Sequence, residues 1–593
     1  MTIYNPPLKD IRFVLDEIAE LADLCTFESF GHVDSDTVDG ALAESARLMV
    51  DKVAPTNLPG DVEGSVWHED GTVTTPPGFI DAYDKYVEAG WGAVAFEPEY
   101  GGAGFPWVVG LALQEMLTTA NMAFSLCPLL TQGAIDAISH HSDEIQRETY
   151  LPKMITGEWT GTMNLTEPQA GSDVGALRAK AEPNDDGSWS ITGQKIFITW
   201  GEHDMAENII HLVLARTPGA PPGTKGISCF IVPKYLVNDD GSLGEENDLR
   251  CVSIEHKLGI HASPTCVMAY GDNGGATGFL IGEENMGMRY MFTMMNNARL
   301  SVGLEGLAIA ERSYQQAAEY ARERLQGRAV GAEPGSSSPI IEHADVRRML
   351  LTMKSHIEAM RGLLYLDAAS LDRAKHGSDD DAREAANDLA ALLTPISKSR
   401  STDLGCELTG LGVQIFGGMG FVEETGVAQH LRDARIAPIY EGTNGIQAID
   451  LVLRKLPMKG GAVVGGFIDH MASLEADLTA AGGDFAGLAK ALNVSLSELR
   501  AATTWFLENS ASPNEALAGA TPYLRLFGNV IGGWVLAKLA LAASTGDYDD
   551  AFAQEKLVSA RFYADAVLPL SAGLHAASTA GSGDLFALDA SQF

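Results

Sequence analysis

The sequence predicts a mainly α-helical chain with a central β domain, and three observations predict it. Apolar residues recur at helical spacing from Thr37 to about residue 155 and again from residue 286 onward. Between Gly161 and about Asn285 the pattern changes to short β-branched and aromatic runs divided by Gly, Pro and Asp. The last stretch, 467–593, is rich in Ala and Leu and adds an extra C-terminal helical domain. A chain of 593 residues has room for several domains and a large core.

The elements follow in order. Residues 1–34 form an N-terminal helical extension, because Phe13, Leu15, Ile18, Leu21 and Leu24 sit at helical spacing. Residues 35–160 form a helical domain, with segments at 41–54 and 79–89. The run Phe96-Glu-Pro-Glu-Tyr-Gly-Gly-Ala-Gly104 carries one Pro and three Gly and is a loop ahead of a helix at about 107–119. Residues 161–285 form the β domain, with strands at 189–192, 209–215, 227–233 and 267–270. Within it, Asn238 to Asp248 is an acidic, solvated surface loop. Residues 286–456 return to helices at 286–326, 342–376 and 380–412, the last containing Pro395. With the helix after Thr443 they make a four-helix bundle. Gly331–Pro339 is a mobile break, and the glycine pairs at 460–461 and 465–466 mark a linker to a last domain, 457–593.

The formal net charge is −38, from 79 acidic and 41 basic side chains. Nucleic acids and anionic membranes need a positive footprint, so neither is an expected partner. A mean hydropathy of +0.01 with 46% hydrophobic residues is that of a soluble globular protein. Six scattered cysteines without a CxxC read as buried thiols in a reducing compartment, and no Cys/His cluster has metal spacing. His140-His141 reads as a helix end. The N-terminus carries Asp10, Asp16 and Glu17 and no apolar core of a signal peptide, and the apolar run 530–543 is too short to span a bilayer. The expectation is a cytoplasmic protein.

The chemistry centres on Leu431-Arg-Asp-Ala-Arg-Ile-Ala-Pro-Ile-Tyr440-Glu441-Gly442-Thr443-Asn-Gly-Ile446. An uncharged approach, 436–440, delivers Glu441 to a poorly hydrated place. Desolvation raises a carboxylate pKa toward the range of a general base for a weakly acidic C–H proton. Gly442 lets the backbone turn sharply, and Thr443 adds a hydroxyl. A Glu before a Gly is by itself a common turn feature; three further motifs change its weight. They are Thr166-Glu-Pro-Gln169-Ala-Gly171-Ser172-Asp173, Gln194-Lys-Ile-Phe197-Ile-Thr199 and Gln414-Ile-Phe-Gly417-Gly418-Met-Gly-Phe421. In this order, over roughly residues 85–455, the chain resembles the acyl-CoA dehydrogenase family of flavoproteins.

The resemblance implies an N-terminal α domain, a middle β-barrel-like domain and a C-terminal four-helix bundle, here with an added helical domain. It implies FAD as cofactor, an acyl-CoA thioester as substrate and an electron-transfer flavoprotein as electron acceptor. Glu441 would take the α-proton while the β-hydride leaves to flavin N5. Met163, Leu165, Thr166 and Thr199 would border the flavin ring, with Thr199 at N5. Gly171 and Ser172 would meet the pyrophosphate, and Ser172 also the substrate. Phe197 stands where the family usually has Trp, and Gln169 where it usually has Gly. Arg324 and Gln326 resemble a pair reaching the FAD of a neighbouring subunit, though Gly327 replaces the usual aromatic residue. Gln414, Gly417 and Gly418 would lie against that dinucleotide, and Thr443 beside the cofactor. Arg299, Tyr440 and Gly442 would meet the substrate; Asn296 replaces a common Asp near Arg299. Arg432, Asp433 and Arg435 would form an ion-paired scaffold for the Glu441 loop. No metal is implied.

The opening Tyr4-Asn-Pro-Pro-Leu-Lys-Asp-Ile-Arg-Phe-Val-Leu15 and the long C-terminal part look like the long dehydrogenases that include the 3-(methylthio)propanoyl-CoA dehydrogenases. That implies conversion to 3-(methylthio)acryloyl-CoA in dimethylsulfoniopropionate demethylation, by a homodimer rather than a tetramer. The alternatives are a general short- or medium-chain acyl-CoA dehydrogenase of β-oxidation, an acyl-CoA oxidase, and a DNA-associated flavoprotein of the same fold. The acidic tail opposes the last, and the joint presence of Glu441, Thr166, Ser172 and Thr199 opposes a non-catalytic scaffold.

Overall fold

A computed structural model describes residues 4–593, with Ser336, Ser510 and the side chain of Asn296 outside the described set. The chain forms two compact units. One comprises Ala41–Phe105 and Met116–Ser301; the other comprises Met1–Gly40, Pro106–Glu115 and Val302–Phe593.

The first unit contains the β domain. Its main sheet runs Leu249–Ile254, Thr265–Tyr270, Trp189–Thr199, Ala276–Leu280, Ser228–Pro233, Asn208–Ala215, Trp159–Asn164, with Lys180–Pro183 paired to Trp189–Thr199. All pairings are antiparallel except that of Trp159–Asn164 with Asn208–Ala215. The strand Trp189–Thr199 is much longer than the predicted 189–192. One end pairs with 276–278 and the other with 265–270, so a single strand joins two halves of the sheet. Its apolar alternation is masked by Lys195, a fully buried lysine that spends its charge on Glu167. The acidic segment 238–248 is a hairpin rather than a free loop. Tyr235–Val237 pairs with Leu243–Glu246, and Asp240 accepts from both the amide and the hydroxyl of Ser242 across the turn. The Phe96–Gly104 loop folds back on itself so tightly that a Cβ on Gly102 would lie 2.0 Å from the Phe96 carbonyl oxygen.

The second unit is helical. The Gly287–Glu323, Ala344–His376 and Asp380–Phe416 helices supply the predicted bundle, and Pro395 sits inside the third. The expected fourth helix is short: Asn444–Asp450 continues only as one π-helical turn, Leu451–Lys455. Glycines let the Gly287–Glu323 and Asp380–Phe416 helices approach backbone to backbone. A Cβ on Gly303 would lie 2.7 Å from the Ser397 carbonyl oxygen, one on Gly306 2.2 Å from that of Ser401, and one on Gly405 2.8 Å from the Gly306 Cα. The linker glycines divide: Gly460 and Gly461 take left-handed conformations, whereas Gly465 and Gly466 lie inside the Ala462–Ala481 helix. The 331–339 break includes Ser336, outside the described set, but its ends are held by Gln326 N–H to Ser338 O (3.0 Å) and Ser338 N–H to Gly327 O (2.9 Å).

The two terminal extensions pack on each other. Phe13 meets Tyr548 and Phe552 edge-on at 4.8 and 5.1 Å, and Lys9 pairs with Asp549. Lys556, buried, bonds both Asp10 and Glu358. Aromatic edge contacts of this kind add roughly 1 kcal/mol each beyond area burial. Helices Met122–His141 and Pro513–Thr545 are long and apolar enough to cross a bilayer by length and composition, yet 83% of the apolar 18-residue window of each is buried within the protein. The predicted run 530–543 is part of the second, and its burial is that of a core helix.

Candidate functional site

Around Glu441 the second unit builds a braced turn. Glu441 has φ 55° and Gly442 φ 82°. The left-handed region is free for Gly but costs a side-chain-bearing residue about 1–2 kcal/mol, so the surroundings must hold Glu441 there. They do so on both sides. Before it, the Tyr440 hydroxyl donates to Glu305 Oε2 at 2.5 Å. After it, the ammonium of Lys398 donates to the Gly442 carbonyl and to Asn444 Oδ1, both at 2.9 Å. Asn444 in turn donates to Asp403 Oδ1 at 2.8 Å, and Gln447 Nε2 to the Glu441 carbonyl at 3.3 Å. Thr443 Oγ1 accepts from Ile446 N–H and so caps the next helix.

The expected dry placement of Glu441 extends to its Oε2, which is buried, and beside it lies a second dry carboxyl, Glu305. It is fully buried, and its Oε1 has no hydrogen-bond partner among the described residues. Burial pushes its pKa up to about 8; the Tyr440 hydroxyl and Lys398 oppose the rise, and Glu441 adds to it. Burial, with Glu305 next, also holds the Tyr440 phenol well above its usual value, so it donates. In the predicted scaffold Arg432 pairs with Glu423 at 2.8 Å, and Asp433 accepts from Gln429 at 3.1 Å.

In the first unit, Thr166 follows the Trp159–Asn164 strand, and its carbonyl accepts from Ile196 N–H at 2.9 Å. That bond sets Thr166 beside the strand ending in Thr199. Met163 lies in the first strand, and Leu165 gives its carbonyl to Lys195 at 3.2 Å. The turn between Glu167 and Ala170 is closed by paired backbone bonds of 3.1 and 2.9 Å. Glu167 is locked: it receives Lys195 at 2.8 Å, the amides of Arg178 and Ala179, and Gln169 Nε2 at 2.6 Å. The unusual Gln169 therefore braces Glu167. Burial would raise the Glu167 pKa, but Lys195 and the amides hold it below normal; burial lowers Lys195 to about 8 against the pull of Glu167.

Past this turn, Gly171 and Ser172 are exposed, and a Cβ on Gly171 would meet nothing within 4 Å. Phe197 has φ 58° and is 57% exposed, a strained aromatic shelf. No other described residue engages the hydroxyls of Thr166, Ser172 and Thr199. An open apolar ring face, three available hydroxyls and a cradle without side chains fit a planar heteroaromatic cofactor with a phosphate tail.

The helix-end residues of the second unit are also brought together. Tyr320 stacks on Phe416 at 4.1 Å and 11°, which sets the end of the Gly287–Glu323 helix beside that of Asp380–Phe416. Arg324, Gln326, Gln414, Gly417 and Gly418 are all exposed there, and Phe421 is 89% exposed. Arg299, in the first unit, lies over the Phe292 ring at 5.8 Å; the side chain of Asn296 is outside the described set. Sequence reasoning missed Glu305 and Lys398. Their only signal was a lone charge in an apolar or small-residue helix, Gly303-Leu-Glu305-Gly306 and Pro395-Ile-Ser-Lys398-Ser399.

Comparison with known proteins matches four successive family models. They are the acyl-CoA dehydrogenase N-terminal domain (44–158), middle domain (162–273) and C-terminal domain (285–456), then the acetyl-CoA dehydrogenase C-terminal-like domain (467–589). A 3-methylmercaptopropionyl-CoA dehydrogenase of Ruegeria pomeroyi is 47% identical over 95% of this chain and 96% of its own. A butyryl-CoA dehydrogenase of Syntrophomonas wolfei is 36% identical over 95% of this chain and 94% of its own. Among solved structures, an acyl-CoA dehydrogenase from Bacillus anthracis complexed with FAD superposes with a TM-score of 0.74 at 20% identity, over 95% of this chain and 90% of that one.

Proposed function

This chain belongs to the acyl-CoA dehydrogenase family of FAD-dependent oxidoreductases, and from that premise we propose that Glu441 is its catalytic base. The observation that carries the proposal is the turn at Glu441, held left-handed by Tyr440–Glu305 before it and Lys398 after it.

The reaction is α,β-dehydrogenation of an acyl-CoA thioester to the trans-2-enoyl-CoA. FAD, when bound, supplies the acceptor for the β-hydride with its electron pair. The Glu441 carboxylate takes the α-proton, and the C–H electron pair left behind becomes the Cα–Cβ π bond. The backbone N–H of Glu441 donates to the thioester carbonyl, lowering the α-proton's pKa; one such aimed donor supplies about 3–4 kcal/mol. Thr166, Thr199, Met163, Leu165 and Phe197 would hold the flavin ring, and Gly171 and Ser172 its pyrophosphate. Arg299, Tyr440, Gly442 and Ser172 orient the substrate.

The proposed substrate is 3-(methylthio)propanoyl-CoA, oxidised to 3-(methylthio)acryloyl-CoA within dimethylsulfoniopropionate demethylation; the 47% identical relative supports it. The butyryl-CoA relative favours a second reading, a short-chain fatty acyl-CoA dehydrogenase. One methylene or thioether discriminates only about 1–3 kcal/mol, so both substrates are to be compared directly. Electrons pass to an electron-transfer flavoprotein. The exposed Phe421 surface, beside Gln414, Gly417, Gly418, Arg324 and Gln326, supports a homodimer in which these residues reach the partner's FAD. Six free thiols support a cytoplasmic setting.

The test is anaerobic. The FAD-loaded protein is mixed with 3-(methylthio)propanoyl-CoA, butanoyl-CoA or octanoyl-CoA, and loss of the oxidised flavin band is followed. Rapid bleaching is expected with the first two, and none with Glu441→Gln at equal FAD content. Bleaching by Glu441→Gln at the unaltered enzyme's rate removes the assignment. Phe421→Asp should convert a dimer to a monomer in sedimentation and shed FAD; an unchanged dimer removes the interface.

A further inference from the structure

Glu305 lies outside every motif that identifies the family, yet it is built into the Glu441 turn. Its helix approaches the Asp380–Phe416 helix through Gly303 and Gly306, which flank it, and Ser397, whose carbonyl meets Gly303, directly precedes Lys398. The two glycines thus sink Glu305 into the same dry seam as Lys398. A carboxyl with no exposure and an Oε1 without a hydrogen-bond partner among the described residues is expensive as an anion. Its other oxygen meets the residue immediately before Glu441, at 2.5 Å.

We propose that Glu305 is a positioning residue for proton abstraction: it anchors Tyr440, holds the left-handed turn at Glu441, and sets the charge that stands beside that carboxylate. The proposal rests on the assignment of Glu441 as base. The charged and titratable groups facing Glu305 are Tyr440 and Glu441 from the turn and Lys398 from the neighbouring helix. Burial holds Glu305 protonated up to about pH 8, so at neutral pH it adds no negative charge beside Lys398 and Glu441. Once Glu305 ionises, its charge raises the proton affinity of Glu441, and a stronger base abstracts faster.

The experiment uses the FAD-loaded enzyme and butanoyl-CoA, with Glu305→Gln, Tyr440→Phe and Glu441→Gln beside the unaltered protein. Flavin reduction is measured from about pH 6 to about pH 9.5. Deuterium uptake from solvent at the α-carbon of the bound thioester is measured in parallel by mass spectrometry, since it reads proton transfer alone. A third readout is the infrared band of a protonated carboxyl, taken as the difference between unaltered protein and Glu305→Gln. The unaltered enzyme should show an inflection near pH 8, rising about two- to fivefold above it, and a carboxylic acid band that disappears over the same range. Glu305→Gln should lose both. Tyr440→Phe should cut both rates about tenfold at neutral pH with FAD content unchanged.

Coincident pH profiles for Glu305→Gln and the unaltered enzyme, or no carboxylic acid band in the difference spectrum, overturn the proposal. If Glu305→Gln fails to fold, full activity in Tyr440→Phe overturns it instead. An inert Glu441→Gln alongside coincident Glu305→Gln profiles defeats this inference alone; an active Glu441→Gln defeats the base assignment beneath it.

Discussion

Replacing Lys398 by Met removes the ammonium while keeping much of the side chain's length and apolar volume. Lys398 is fully buried and makes two hydrogen bonds of 2.9 Å, to the Gly442 carbonyl and to Asn444 Oδ1. Each charge-assisted bond contributes about 1.5–3 kcal/mol net of desolvation, so about 3–6 kcal/mol of stability is lost and the melting temperature should fall by more than a few degrees. The catalytic turn is loosened as well. Glu441 at φ 55° carries about 1–2 kcal/mol of backbone cost that Lys398 helps to hold. Letting the turn relax by that cost of about 1–2 kcal/mol depopulates the competent arrangement about 5- to 30-fold. The assay is single-turnover flavin reduction by butanoyl-CoA, with FAD content, KM and thermal unfolding measured on the same preparation. A folded, FAD-loaded Lys398→Met protein reducing its flavin within twofold of the unaltered rate would refute the reasoning.

Two further outcomes follow from the same physics. Asp367 is fully buried, its Oδ2 accepts from Ser397 at 2.7 Å, and burial, opposed by that bond, lifts its pKa to about 7. A raised folded-state pKa gives stability that is whole below about pH 4 and lost as pH climbs through about 7. Asp367→Asn should therefore match the unaltered protein near pH 4 and exceed it by up to roughly 4 kcal/mol at pH 8, read as a growing difference in melting temperature; a pH-independent difference would be wrong for this mechanism. Phe197→Gly relieves an aromatic residue at φ 58° while freeing the unfolded chain, so apoprotein stability should move by no more than about 1 kcal/mol. FAD affinity should fall at least tenfold, by fluorescence titration, and Phe197→Trp should retain it; unaltered affinity in the glycine variant would show that the ring is no flavin shelf.

The sequence by itself determined the fold class and the family, because both are written in contiguous patterns. Helical and strand periods each need only a dozen residues, and the motifs around Thr166, Thr199, Gln414 and Glu441 are each read within one turn or strand. It failed where a residue serves a distant partner. The strand Trp189–Thr199 was cut short because Lys195 faces a buried Glu167 and breaks the apolar alternation. The acidic 238–248 segment is solvated as expected, but its hairpin pairing and Asp240 cap leave no hydrophobic signal to read. Glu305 reaches Tyr440 across 135 residues, and Lys398 reaches Gly442 across 44. No local rule assigns a charge to a dry seam, since its cost and its compensation come from different helices. Tertiary structure decides it, because the close Gly303–Ser397 and Gly306–Ser401 approaches bring together two helices in which both side chains are buried. The sequence names the base; packing determines how that base is held and what charge stands beside it.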